Sequence, residues 1–98
     1  MKVHWTDRAK LRLKSIEDYI SNDDPKAAKT EIRRILIRSQ QISDYPLTGR
    51  HVPEYKQDDI REVLERPYRI IYCIKDKQID VLAIMHYRQL LPEDLKNL

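Results

Sequence analysis

Residues 68–88 read YRIIYCIKDKQIDVLAIMHYR. Two apolar runs flank the polar tripeptide DKQ, and so short a connection joins antiparallel strands in a hairpin. Strand alternation places Tyr68, Ile70, Tyr72 and Ile74 on one face, and Arg69, Ile71, Cys73 and Lys75 on the other. An antiparallel sheet covered on one side presents a polar second face. Here Ile71, Cys73, Leu82 and Ile84 make the second face apolar too, so the C-terminal tail or another chain is expected to cover it in part. At ~25 cal/mol per Å2, several wet side chains of this size forfeit much of a small domain's stability.

The register decides what the open end of the hairpin holds. A two-residue or four-residue loop puts Arg69 and His86 close together on one face; a three-residue loop changes the pairing parity. Placed together, the arginine can hold a phosphate and the histidine can move a proton. The competing structural reading pairs Arg69 with Glu62 or Glu65 and lets His86 merely end a strand. Glu62 follows Arg61 on the preceding strand and is expected to pair with a nearby arginine.

Upstream, Val3 to Thr6 read as a short strand, with Thr6 or Asp7 capping a helix from about Asp7 to about Ser21. Ala9, Leu13, Ile16 and Ile20 form its buried stripe. Asp24 and Pro25 start a second helix over about 25–43, with Ala28, Ile32, Ile35, Ser39 and Ile42 as its stripe. Leu11 and Ile37 lie nearly opposite these stripes and point outward. The loop DYPLTGRHVPEYKQDD leads to three strands, IREVL, YRIIYCIK and QIDVLAIMH, joined by short turns around ERP and DKQ. In the tail, Pro92 can start a helical turn. The order is β-α-α-β-β-β, an α+β fold with a helical hairpin on one face of an antiparallel sheet.

The chain has 98 residues, which suits one domain over 1–98. Net charge is +3 and the pI is near 9.0. Residues 1–50 carry 11 basic and 7 acidic side chains, and residues 51–98 carry 8 and 9. The excess positive charge therefore sits in the N-terminal half. One cysteine, Cys73, excludes an intrachain disulfide and hints at no metal cluster; it reads as a packed strand thiol. MKVHWTDRAK has no signal-peptide core, and no apolar run approaches the ~20 residues of a membrane helix. A soluble cytoplasmic protein is expected, without cofactor or metal.

Over nearly its whole length the chain resembles the RelE/ParE superfamily of bacterial type II toxins. The resemblance rests on Trp5, Ala9, Leu13, Ile16, Tyr19 and Ile20, then Pro25 and Ala28. It continues with Pro46, Gly49, Arg50, Pro53 and Glu54, then Arg61 and Glu62, the run YRIIY, and finally His86, Arg88 and Pro92. It implies the RelE/ParE-like fold and a cognate antitoxin whose C-terminal segment wraps the toxin. Leu11, Ile37, Ile71, Leu82 and Ile84 are the candidate contacts for it.

The superfamily has two chemistries. RelE-like members cut messenger RNA in the ribosome, which needs cations for the phosphate and an acid or base for the 2′-OH and the leaving oxygen. ParE-like members act on DNA gyrase and trap its broken-DNA complex, making no cut of their own. GRHVPE followed by YRIIY resembles the ParE side. The loop from His51 to Asp59 carries only Lys56 beside Glu54, Asp58 and Asp59, a poor grip on a phosphate backbone. Arg69, His86 and Tyr87 stand where some ribosome-dependent nucleases keep an arginine and a His-Tyr pair, and would be the catalytic set of that alternative. The resemblance favours a gyrase-directed toxin that causes growth arrest and plasmid stabilisation. Arg50, Arg61, Arg69, His86 and Arg88 are its functional-surface candidates, with no stable DNA binding by the toxin alone and no membrane partner. A binding module that has lost both activities is the third reading, and the presence of these five residues weighs against it.

Overall fold

The structure, a computed structural model, describes residues 1–55 and 57–89. Lys56 and the tail with Pro92 lie outside the described residues. The elements run β1 (Lys2–Trp5), α1 (Asp7–Ser21), α2 (Pro25–Gln41), a 3-10 turn (Pro46–Thr48), β2 (Arg50–His51), β3 (Ile60–Glu65), β4 (Tyr68–Ile74) and β5 (Gln78–His86). The expected α+β order holds, with one addition: the two-residue β2 lies inside the segment read as loop. The sheet order is β1-β5-β4-β3-β2. β1 runs parallel to β5 and the other neighbours are antiparallel, so the sheet expected to be antiparallel is mixed.

Local chemistry sets both helix starts. Thr6 Oγ1 accepts from the Ala9 N–H at 3.2 Å and donates to the Val81 carbonyl at 2.9 Å. One hydroxyl thus caps α1 and anchors it to β5. The Asp24 carboxylate accepts from the N–H groups of Lys26 and Ala27 at 3.1 Å each, with Pro25 in the first turn. Ala9, Ile35 and Ile42 are fully buried against Ile70, Tyr72, Ile79, Val81 and Ile84 on the helix-covered sheet face. Among the described residues no helix is long and apolar enough to cross a membrane.

The second face is apolar, as expected, but the chain itself covers much of it. Val52 and Tyr55, from the loop after β2, pack with Ile60, Ile71, Cys73, Ala83 and Met85. Ile71 is 1% exposed beneath this cover, and the tail expected to share in it lies outside the described residues. Ile84 is not part of it. The β4–β5 hairpin has a two-residue turn, Asp76-Lys77, since Ile74 pairs with Ile79 and the Lys75 N–H donates to the Gln78 carbonyl at 2.8 Å. Tyr72 then pairs with Val81 but Ile71 pairs with Ala83, so Leu82 is an extra residue in a β-bulge. One extra residue exchanges the faces of everything beyond it. Ile84 turns to the helices and is fully buried there, while Ala83 and Met85 take the second face.

Gly49 shows why the loop before β2 sits so close to the sheet. The buried Tyr72 hydroxyl accepts from the Gly49 N–H at 3.0 Å and donates to the Pro46 carbonyl at 2.6 Å. A Cβ on Gly49 would lie 2.6 Å from the Glu62 carbonyl oxygen and closer still to the Tyr72 hydroxyl. Both partners are fixed by the sheet, so the glycine is needed for close approach. Gly49→Ala should lower stability by about 1–3 kcal/mol, as overpacking does in tight interiors. Urea denaturation checks it: an unchanged midpoint would show that this loop has room to move.

Candidate functional site

Two clusters gather the polar residues singled out in the sequence, and they lie on different sides of the hairpin's open end. The first is built on the second face. β2 places Arg50 directly opposite Glu62 on β3, and β4 places Arg69 diagonally from it, two residues before Ile71. Arg50 Nε donates to Glu62 Oε1 at 2.8 Å, and Arg69 Nη1 donates to Glu62 Oε2 at 3.0 Å. Glu54, from the covering loop, takes Arg69 in a two-pronged pair, Nη1 to Oε1 at 3.2 Å and Nη2 to Oε2 at 2.7 Å. Arg69 Nη2 also donates to the Gln89 carbonyl at 2.8 Å.

This network is buried. The side chains of Arg69 and Glu62 are 5% and 0% exposed, whereas Arg50 is 64% exposed. Burial works against the charge on Arg69, but the hydrogen bonds and charges of Glu54 and Glu62 outweigh it and raise its pKa above the usual arginine value. Four of the guanidinium's donor contacts go to protein oxygens. The buried Arg69 Nε–H meets no partner among the described residues. The structural reading of Arg69 therefore holds, with Glu62 as its partner and Glu54 in place of Glu65. Glu65 instead meets Arg34 of α2 at 2.8 Å.

The second cluster surrounds Tyr87. The bulge at Leu82 pairs His86 with Tyr68 and Arg69 with Met85, so His86 and Arg69 fall on opposite faces. The expectation that a two-residue turn would bring them together fails for that reason. His86 stacks on Tyr87, with ring centroids 4.9 Å apart. Its Nδ1 accepts from the Arg88 N–H at 3.2 Å, which leaves Nε2 to carry the proton of the neutral ring. The guanidinium carbons of Arg88 and Arg66 lie 5.3 and 5.8 Å from the Tyr87 ring centroid. Arg88 Nε also donates to the Tyr87 hydroxyl at 3.0 Å.

Arg61 joins neither cluster. On the helix side of β3 it ties down loop carbonyls, with Nη1 donating to Gly49 at 2.9 Å and Nε to Asp58 at 3.1 Å. Leu11 and Ile37 are 71% and 54% exposed, as their helical positions require, and Leu82 is half-buried. Sequence reasoning gave no role in these clusters to Glu54 or Arg66. Glu54 was named only as a loop acid and as part of the resemblance. Arg66 had a usable signal: in an antiparallel meander the ERP turn lies beside the end of β5. Among the described residues no group of three or more His, Cys, Asp or Glu side chains is placed to hold a metal ion.

Residues 3–91 match the family described as ParE toxin of the type II toxin-antitoxin system, parDE. The chain belongs to the ParE toxin family. It is 34% identical over 96 residues to Y4kP of Sinorhizobium fredii, provisionally named a toxin, covering 96% of each chain. The fold is similar to a solved chain of the chromosomal ParDE toxin-antitoxin system from P. aeruginosa, with a TM-score of 0.74 and 25% identity. That similarity covers 88% of this chain and 95% of the other. The ParE branch of the resemblance is thus the one the comparisons bear out.

In this ParE-family toxin the Glu62 pairing is more buried than a surface ion pair, and its loss should cost more. Glu62→Gln keeps the shape but removes the charge shared by Arg50 and Arg69, leaving Glu54 alone to balance a buried guanidinium. A loss of about 3 kcal/mol is expected, in the range for breaking a buried pair. Thermal or urea unfolding checks it. A loss below about 1 kcal/mol would place Glu62 among exposed pairs in its energetics.

Proposed function

We propose that this type II toxin acts on DNA gyrase, trapping its broken-DNA complex, and that a cognate antitoxin neutralises it. One observation carries the choice of target. Ribosome-dependent cleavage needs a cation for the phosphate and a proton-transfer group in one place. Arg69 is spent on Glu54, Glu62 and the Gln89 carbonyl, and His86 lies on the opposite face. The register therefore does not assemble the Arg69–His86 pair on which the ribonuclease reading rests.

The antitoxin reading draws support from the two-component ParDE system to which this fold is similar. Leu11 and Ile37, exposed on the two helices, and Leu82 at the bulge remain as candidate contacts. Ile71 and Ile84 are buried within the chain itself. A partner that reaches Leu11, Ile37 and Leu82 is extended rather than compact, since these residues sit on α1, α2 and β5.

Expressed alone, the chain should arrest growth; expressed with its antitoxin, it should not. Purified toxin with gyrase, ATP and supercoiled plasmid should give linear DNA on denaturation, or at least blocked supercoiling. Translating ribosomes with a defined message should leave that message intact. Cleavage of ribosome-bound message by the wild type, reduced ~10²–10⁴-fold in His86→Gln, with gyrase untouched, would overturn the gyrase reading.

A further inference from the structure

Five of the arginines fall into two contrasting groups. Arg34, Arg50 and Arg69 each meet a carboxylate within 3.1 Å. Arg66 and Arg88 meet none among the described residues; their partner is the ring of Tyr87. Both are exposed, and Tyr87 is 36% exposed between them. The ring is itself held in place. Its backbone N–H donates to the Pro67 carbonyl at 2.9 Å, and His86 stacks against it. Two guanidiniums that meet no carboxylate among the described residues are therefore pre-positioned on one fixed aromatic ring, at the edge where the β3–β4 turn meets the end of β5.

We infer that Arg66 and Arg88, positioned by Tyr87, form a contact for the phosphate backbone of DNA. Exposed cations gain little from a single carboxylate, because water and salt screen the pair. A nucleic-acid backbone is different, since each phosphate neutralised releases condensed counterions, a gain that exposure does not cancel. Stacking on Tyr87 limits the freedom that two long side chains would otherwise lose on binding. Two phosphate contacts alone bind weakly. They become useful when another surface holds the toxin beside DNA, so that the second contact is effectively intramolecular. The contact thus rests on the gyrase reading and gives it a DNA-facing surface.

The test measures fluorescence anisotropy of a labelled DNA duplex with purified toxin over a series of salt concentrations. Wild type should bind weakly, with affinity falling as salt rises. Replacing both residues, Arg66→Gln with Arg88→Gln, should flatten the slope of log affinity against log salt by about 1.8, the loss of two phosphate contacts. Lys29→Gln with Arg33→Gln removes the same charge from exposed positions on α2 and should leave the slope nearly unchanged. Tyr87→Leu should weaken binding without altering charge, and Tyr87→Phe should restore most of it. Equal losses in the α2 control, or no effect of the Tyr87 variants, would overturn the contact as general charge attraction. Tighter binding to RNA of the same sequence would overturn its assignment to DNA. The gyrase assay run in parallel separates the two readings. Duplex binding that maps to Arg66 and Arg88 without gyrase trapping sinks the gyrase reading alone. Gyrase trapping that the double variant leaves intact sinks the contact alone.

Discussion

One buried guanidinium organises the second face of the sheet. A charge taken out of water is costly unless its donors are met and its charge is balanced. Arg69 meets that condition with two carboxylates, and Arg50 balances the second of them from the edge strand. The four charges cancel. Glu54 belongs to the loop after β2, so the ion pair also fixes where that loop lies, and Val52 and Tyr55 come down with it over Ile60, Ile71 and Cys73. The Gln89 carbonyl ties the chain beyond β5 to the same group. Polar pairing and apolar cover are thus one event: the loop closes over the sheet because the arginine needs its acid.

A single residue then decides what lies beside that arginine. β1 pairs with β5 only as far as Val81, whose carbonyl accepts from both the backbone N–H and the hydroxyl of Thr6. Just past this point Leu82 is inserted without a partner on β4. The insertion sends Met85 to the second face and His86 to the helix side. A regular hairpin with the same two-residue turn would have set His86 next to Arg69. The bulge therefore separates a potential proton carrier from a potential phosphate ligand, and it does so through backbone register while leaving both residues in the chain.

Much of the fold was legible because strong local signals agreed with one another. Thr6, Asp24 and Pro25 marked the helix starts, and the apolar stripes gave helix ends within two residues of Ser21 and Gln41. The long strands β4 and β5 stood out by composition. β2 did not, because two exposed residues, Arg50 and His51, carry no periodicity to read. The bulge at Leu82 was equally silent. Its neighbours are apolar on both sides, so a one-residue slip leaves the pattern of VLAIM unchanged to the eye. The site suffered from the same ambiguity. Glu62 was identifiable as an arginine partner, whereas Glu54 reaches Arg69 across 15 positions of sequence through a loop that no pattern orients.

The resulting molecule uses arginine in two opposed ways at one end of the β4–β5 hairpin. Arg69 points inward, and its charge is consumed by carboxylates, so it contributes to the fold and little to the field outside. Arg66 and Arg88 point outward onto Tyr87 and keep their charge for whatever approaches. Field strength at a surface follows uncompensated charge rather than the number of basic residues, so the formal net charge of +3 understates how uneven the surface is. The C-terminal half carries more acid than base, yet two of its acids, Glu54 and Glu62, are turned inward against Arg69. Among the described residues, Arg66 and Arg88 remain outside at the open end of the hairpin without a carboxylate partner. A weakly basic small protein can in this way present a locally cationic edge without a lysine-rich loop.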